Sequence, residues 1–272
     1  MTVVVKIGGA RAVDPAGALA DIAAQDDDVV VVHGGSTAVD DALERMGVEP
    51  RYVETPDGVV GRFTDAETMV VFTMAMGRVN TDLVAGLQNE GVDAVGLSGA
   101  DGALLAGPRK SAVRAIEDGK KKILRGEHSG TVESVNADLL ETLLAAGYTP
   151  VTGPPMLGED GGEWTPVNTD ADRAAAAVAG ALGARLVVLT DVPGVLADPD
   201  DEDSLIGRVD SPAALDRTRD AAEGFMGRKV MAAVEALEGG AAGVVVADAN
   251  AAEPVTAALD GGGTHFTPEA VA

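Results

Sequence analysis

The chain has 272 residues, 46% of them hydrophobic and 24% charged, which is enough for a substantial core and excludes disordered, collagen-like and low-complexity classes. Forty-four acidic against 20 basic residues give a formal charge of -24, a balance opposed to coating nucleic acid or an anionic membrane. Cysteine is absent and histidine occurs only at His33, His128 and His265, which excludes disulfides, zinc-thiolate sites and thiol nucleophiles and leaves little for a metal cluster.

Val3-Val4-Val5-Lys6-Ile7 is a β-branched run that ends at Gly8-Gly9. Asp14 and Pro15 then supply an N-cap and a first-turn proline for a helix to about residue 25. Val29-Val30-Val31-Val32 repeats the pattern and closes with His33-Gly34-Gly35-Ser36 before an amphipathic segment over 37–46. Continuous apolar strands alternating with helices imply a parallel sheet covered on both faces. Residues 52–63, turning at Pro56-Asp57-Gly58, read as a hairpin, followed by a long helix over 65–89 with Thr64 as its cap. A second hairpin pairs 112–117 with 120–125 around Asp118-Gly119, a dipeptide favoured in type I′ turns.

Residues 136–146 read as a helix and 148–152 as a strand. The densest stretch of breakers runs from Gly153-Pro154-Pro155 to Gly161-Gly162 and divides the chain into an N-terminal lobe, 1–160, and a C-terminal lobe, 161–272. The second lobe is again α/β: an Ala-rich helix over 172–182, a strand at Leu186-Val187-Val188-Leu189, a helix over 226–238 and a strand at Val244-Val245-Val246. No apolar run approaches the ~18 residues of a membrane helix, and Met1-Thr2 leads into the first strand without a basic region or cleavage site, so a cytoplasmic location is expected.

Glycines at strand ends let backbone N–H groups approach an anion, and a following helix N-terminus adds partial positive charge. The chain does this at Gly8-Gly9 and again at Gly34-Gly35-Ser36, although such turns also serve plain α/β geometry. Neither is a Walker A loop or a GxGxxG fingerprint, so P-loop and Rossmann readings fall. Lysine is scarce, occurring at Lys6, Lys110, Lys120, Lys121, Lys122 and Lys229. Lys6 sits inside an apolar strand, where burial without a partner is costly, so it should face a ligand or an acid. Lys229 is its counterpart at a helix start within Gly224-Phe225-Met226-Gly227-Arg228-Lys229; for both, a snorkelling surface lysine is the plainer alternative. Asn168-Thr169-Asp170-Ala171-Asp172 precedes the Ala-rich helix, where Asp170 or Asp172 also suits an N-cap. Thr190-Asp191-Val192-Pro193-Gly194-Val195 follows a buried strand, the end of an α/β sheet at which ligands bind.

Val5-Lys6-Ile7-Gly8-Gly9, His33-Gly34-Gly35-Ser36, Arg62-Phe63-Thr64-Asp65, Leu97-Ser98-Gly99, the 168–172 motif, Leu189 to Val195 and Met226-Gly227-Arg228-Lys229-Val230 occur in that order across nearly the whole chain. Together they resemble the amino acid kinase superfamily, in particular its acetylglutamate kinase branch. The resemblance implies a three-layer α/β/α sandwich with a mainly parallel central sheet, and ATP-dependent phosphorylation of a side-chain carboxylate to an acyl phosphate. It implies that Lys6 and Lys229 stabilise the charge of the transferring phosphoryl group and that Asp172 holds both lysines. It places substrate at Gly34, Gly35, Ser36, Arg62 and Asn168. The nucleotide falls at Gly8 and Gly9 and along Thr190, Asp191, Val192, Gly194, Val195 and Leu196. A carboxylate is already ionised at neutral pH, so no general base is required, and Mg²⁺ would be held mainly by ATP phosphates and water. Apolar positions at Val70, Phe72, Met74 and Met76 on the long helix are in keeping with the family's homodimers.

Ser36 stands where acetylglutamate kinases usually have a third glycine, and Asp170 where they tend to have Asn. Both resemble instead the kinases acting on aminoadipate or glutamate whose α-amino group is joined to the small acidic carrier protein LysW. Arg109, Lys110, Arg114, Lys120, Lys121, Lys122 and Arg125 gather basic charge in one hairpin of an acidic chain, as a docking site for such a carrier requires, although a solvated hairpin would look the same. Acetylglutamate kinase acting on free substrate is the nearest alternative. The joint presence of Lys6, Asp172 and Lys229 speaks against a non-catalytic sensor on the same fold. Asp-rich, Lys-poor surfaces also resemble those of halophilic cytoplasmic proteins, in which molar salt screens self-repulsion.

Overall fold

The β-branched run at the N-terminus becomes the middle of a sheet because neither of its faces meets water. In the computed structural model, β1 (Thr2–Ile7) lies between β2 (Asp28–His33) and β12 (Arg185–Thr190), parallel to both. The structure describes all residues except Asp57, Val59, Asp118 and Glu223, and only the backbone of Glu202 and Phe225; the turns expected at Pro56-Asp57-Gly58 and Asp118-Gly119 therefore lie partly outside the described residues.

Beyond β2 lie β9 (Thr149–Thr152) and β5 (Ala94–Gly96); beyond β12 lie β14 (Gly243–Asp248), β15 (Thr264–Phe266) and β13 (Arg208–Val209). Among the described residues, 1–160 and 161–272 thus each supply four strands of one eight-stranded sheet, in which only the β14–β15 pair is antiparallel. Alternation along the strands sorts side chains between the faces. Val3, Val5, Ile7, Val29, Val31, Val187 and Leu189 pack under α1 (Pro15–Ala23), α3 (Ala66–Asn89) and α8 (Pro254–Leu259). Val4, Val30, Val32, Leu186 and Val188 pack under α4 (Ala137–Ala145), α5 (Ala171–Ala181), α6 (Pro212–Ala221) and α7 (Gly224–Glu238). Each fully buried valine contributes ~1.5–3 kcal/mol relative to exposure, which is why both layers are held. The result is the three-layer sandwich expected.

A second, smaller sheet accompanies the first. Its order is β11 (Glu163–Val167), β10 (Met156–Asp160), β6 (Leu105–Glu117), β3 (Tyr52–Glu54) and β4 (Val60–Arg62), with β7 (Lys120–Gly130) and β8 (Ser134–Val135) also paired to β6. The basic hairpin is longer than its alternation predicts, because Arg109 and Lys110 still pair with Gly130 and Ser129 across a bulge next to Ala112. The breaker-rich stretch at 153–162 forms β10 and the turn into β11; Gly161 and Gly162 sit at φ 65° and 91°, where glycine is favoured.

Two expectations change on α3. Its cap is Asp65, whose carboxylate accepts from the Thr68 N–H at 2.9 Å, whereas the Thr64 hydroxyl is taken by Asn168. Phe72 and Met76 are buried against α2 (Ser36–Arg45), so only Val70 and Met74, 60% and 51% exposed, remain as apolar surface on that helix among the four residues named. Among the described residues no helix is long and apolar enough to cross a membrane.

Candidate functional site

The even face of β1 that buries Val4 brings Lys6 to the N-terminus of α5. There Asp170 caps the helix, accepting from the N–H groups of Asp172 at 2.9 Å and Arg173 at 3.1 Å, and this places the Asp172 side chain in the first turn over the sheet. Lys6 Nζ lies 2.6 Å from Asp172 Oδ1, and Lys229 Nζ, arriving from α7, lies 3.2 Å from Asp172 Oδ2. One carboxylate therefore bridges two ammonium groups, and Lys6 and Asp172 are only 5% and 8% exposed. Burial alone would raise the Asp172 carboxyl, but the charges of Lys6 and Lys229 overcome it and hold the pKa down to about 2. Burial, and then the like charge of Lys6, pull Lys229 below the usual ammonium range. The site thus carries a net positive charge in a place with little water.

The two glycine turns meet beside this cluster. A Cβ on Gly9 would fall 2.3 Å from Gly35 N, so only glycine permits the contact. The Gly34 N–H donates to Ile7 O and the Thr37 N–H to Gly9 O, each at 3.1 Å, locking one turn onto the other. A Cβ on Gly8 would be 4.0 Å from Lys6 Nζ. Gly35 precedes α2 without any side-chain cap, and among the described residues its own N–H has no acceptor although the residue is buried.

Arg62, at the end of β4, is turned under the hairpin with its side chain 6% exposed. It pairs with Asp40 of α2, donates to Tyr52 Oη at 2.9 Å and to Ser36 O at 3.1 Å, and stands 5.0 Å from the Tyr52 ring centroid. Asp40 and Tyr52 were not expected from the sequence, yet both carry a signal: Asp40 is one helical turn after Ser36, and Tyr52 is the cross-strand partner of Arg62. Asn168 Nδ2 donates to Thr64 Oγ1 at 3.0 Å.

At the end of β12, Thr190 is buried with its hydroxyl on Asp191 at 3.1 Å, and Asp191 is exposed. Val192 and Leu196 are half-buried, while Gly194 and Val195 are buried. The Val195 side chain belongs to the core and its N–H is bonded to Thr264 Oγ1 at 2.8 Å, so neither is presented to a ligand. In the basic hairpin, Lys110, Arg114, Lys120, Lys121, Lys122 and Arg125 are exposed. Arg109 is turned inward instead, donating to Asp160 at 3.0 Å and to Glu127 O at 3.3 Å. Glu127, at the root of the hairpin, is 3% exposed; it accepts from the Thr64 N–H at 3.3 Å, and burial pushes its pKa up to about 7.

Comparison with known proteins agrees with this geometry. The model of the amino acid kinase family matches residues 1–248. A protein of Deinococcus radiodurans named "[LysW]-aminoadipate kinase" is 44% identical over 268 residues, which are 96% of this chain and 90% of that protein. An acetylglutamate kinase of Methanopyrus kandleri is 49% identical over 208 residues, 76% of this chain and 78% of that one. Among solved structures, N-acetylglutamate synthase from Neisseria gonorrhoeae superposes with a TM-score of 0.76 at 25% identity over 98% of this chain, which spans 59% of that longer protein. From motif order, sheet topology and these relatives together, the chain belongs to the amino acid kinase family.

Proposed function

We propose that this protein phosphorylates the side-chain carboxylate of L-2-aminoadipate and/or L-glutamate carried on LysW, forming an acyl phosphate in lysine or arginine biosynthesis. The observation that carries the kinase reading is the pair of ammonium groups bridged by Asp172 beside a buried glycine N–H that, among the described residues, has no acceptor. These groups suit a polyanion: two cations and an unpaired donor are of little use to a neutral ligand. ATP with Mg²⁺, the latter held mainly by the phosphates, supplies the phosphoryl group when bound, and Lys6, Lys229 and the backbone of Gly8 and Gly9 are the chain's groups placed to receive it.

The residues do the rest by position and charge. Asp172 bridges Lys6 and Lys229 and prevents their mutual repulsion from parting them, so both stay directed at one point. Arg62, fixed by Asp40 and Tyr52 next to Ser36, presents a cation to an acceptor carboxylate. Thr190 to Leu196 would line the nucleotide mainly through Asp191 and the backbone.

The carrier-linked acceptor is supported by Ser36 and Asp170, by the basic hairpin, and by the name of the Deinococcus relative. The similarity to the Methanopyrus protein favours a second reading, phosphorylation of free N-acetyl-L-glutamate. Trapping the acyl phosphate with hydroxylamine separates them: the proposal expects product from LysW-linked acceptor and little from free N-acetyl-L-glutamate, and the reverse result replaces it. Val70 and Met74 on α3 fit a homodimer in the cytoplasm.

A further inference from the structure

The site contains a histidine that no part of this chemistry uses. Ile7 is the register partner of His33, as Lys6 is of Val32, so the His33 ring lies on the α3 face of the sheet, opposite to Lys6. His33 is 1% exposed. Its Nε2 is 3.1 Å from Asn80 Nδ2, and that same nitrogen is 2.9 Å from Val151 O and 3.3 Å from Leu97 O. Two backbone carbonyls can face only the NH₂ end of the amide, so the Asn80 group turned to His33 is a donor. His33 Nε2 must then be the acceptor, and the one proton of the neutral ring sits on Nδ1. Nδ1 is 3.1 Å from Gly34 O, to which it donates.

That bond has a consequence across the peptide unit. In a trans peptide the carbonyl and the following N–H point in opposite directions. With Gly34 C=O drawn to the α3 face by His33, the Gly35 N–H is turned to the other face, where Lys6, Asp172 and Lys229 stand. Flanked by glycines, this peptide would otherwise rotate easily. Gly9 packs against its plane but offers the carbonyl no donor.

We propose that His33 is a positioning residue: through its Nδ1–H bond to Gly34 O it fixes the Gly34–Gly35 peptide so that the Gly35 N–H is presented to the anion handled by Lys6 and Lys229, with Asn80 selecting the required tautomer. The proposal rests on the kinase reading above. Burial lowers the His33 pKa to about 4, so the tautomer, and not an imidazolium, holds the peptide at neutral pH.

Two measurements test it. In the ¹⁵N-labelled wild-type protein, ring nitrogen shifts should show Nδ1 protonated and Nε2 bare; a proton on Nε2 overturns the proposal whatever the enzyme's substrate. His33→Leu should lower kcat by roughly 10²-fold, the usual cost of one misplaced oxyanion-type donor, with a much smaller change in KM for ATP. His33→Asn, whose amide N–H reaches where Nδ1–H was, should recover most of that loss. Equal losses in the two variants, or none in either, overturn it. Wild-type turnover on LysW-linked acceptor and on free N-acetyl-L-glutamate is the control: activity on the free substrate alone overturns the carrier reading and leaves the variant order to be read there. Inactivity on both overturns the acceptor assignment, and the ring shifts alone then decide.

Discussion

Two regions hold all six lysines of this acidic chain. Lys6 and Lys229 are gathered around Asp172, whereas Lys110, Lys120, Lys121 and Lys122 lie exposed along β6 and β7. The same side chain does different work in each. In the buried cluster, distances of 2.6 and 3.2 Å and a low local dielectric make each charge strong and unscreened. On the hairpin a charge acts through water, at long range, and fades within a Debye length of ~10 Å at 0.1 M salt. Burial therefore turns a lysine into a fixed local charge, and exposure turns it into a screened, long-range one.

The sharpest way to break the first region is to remove its counter-ion. Asp172→Ala leaves two ammonium groups buried without a partner, and we expect a loss of ~3–5 kcal/mol in unfolding free energy, as for other broken buried pairs. Denaturant titration measures it. If stability were unchanged, Asp172 would not be what keeps the lysines in place. Lys6→Ala and Lys229→Ala should each reduce kcat by about 10²–10³-fold while nucleotide binding by calorimetry persists, since the charge matters most in the transition state. Turnover near that of the wild type would remove the residue from the mechanism.

The second region invites a finer dissection because strand alternation separates its charges. Arg114, Lys121 and Arg125 share a face with Ile116 and Ile123, while Lys120 and Lys122 follow the other parity, beside Val113, Ala115 and Leu124, which pack on β3 and β4. Reversing Arg114, Lys121 and Arg125 to Glu should lower kcat/KM for carrier-linked acceptor roughly tenfold or more at low salt. Reversing Lys120 and Lys122 should do less, because Lys122 already pairs with Glu117 at 3.2 Å. Equal effects would mean that only net charge counts; no effect in either would remove the hairpin from docking. Salt should act in opposite directions on this field and on the whole chain: with -24 charges, the thermal midpoint should rise between 0.1 M and 3 M KCl as self-repulsion is screened. Identical midpoints would defeat the halophilic reading.

How legible these regions were follows from their physics. Valine runs and the glycine turns mark the central sheet, because a strand buried on both faces has a composition that nothing else imitates. Lys6 stands out for the same reason, as a charge inside such a strand. The short strands β5, β13 and β15, of two or three residues at the two ends of the sheet, carry no period to detect, and α6 and α8 lie outside what the sequence reading predicts. The breaker-rich stretch that marks the boundary between 1–160 and 161–272 also holds the β10–β11 hairpin, whose turn is made of glycines. His33 takes its role from a contact with Asn80 that only the tertiary structure creates, whereas Asp40 and Tyr52 carry a weak signal in their spacing from Ser36 and their pairing with Arg62.

Glu127 sharpens the comparison from a third side, as a buried carboxylate to which, among the described residues, no ion pair extends. Asp172, flanked by two lysines, is held down to about 2; Glu127, with burial dominant, is pushed up to about 7. A carboxyl whose folded pKa is raised binds its proton more tightly in the folded state, so its stabilising contribution is full below about pH 4.5 and is lost as pH climbs through 7. His33 acts with the opposite sign: its folded pKa is lowered to about 4, so its contribution is full above 6.5 and is lost as pH falls towards 4. Between about pH 4.5 and 6.5 the two slopes oppose each other, and above 6.5 only the decline from Glu127 remains. Glu127→Gln removes that decline while keeping the shape and an amide oxygen to accept from the Thr64 N–H. We expect the variant's thermal midpoint to rise from pH 5 to 6.5 more steeply than the wild type's, and then to stay level to pH 8 where the wild type falls. Parallel curves for the two proteins would mean that Glu127 is ionised in the fold like any surface carboxylate, and that burial without a lysine does not suffice to move it.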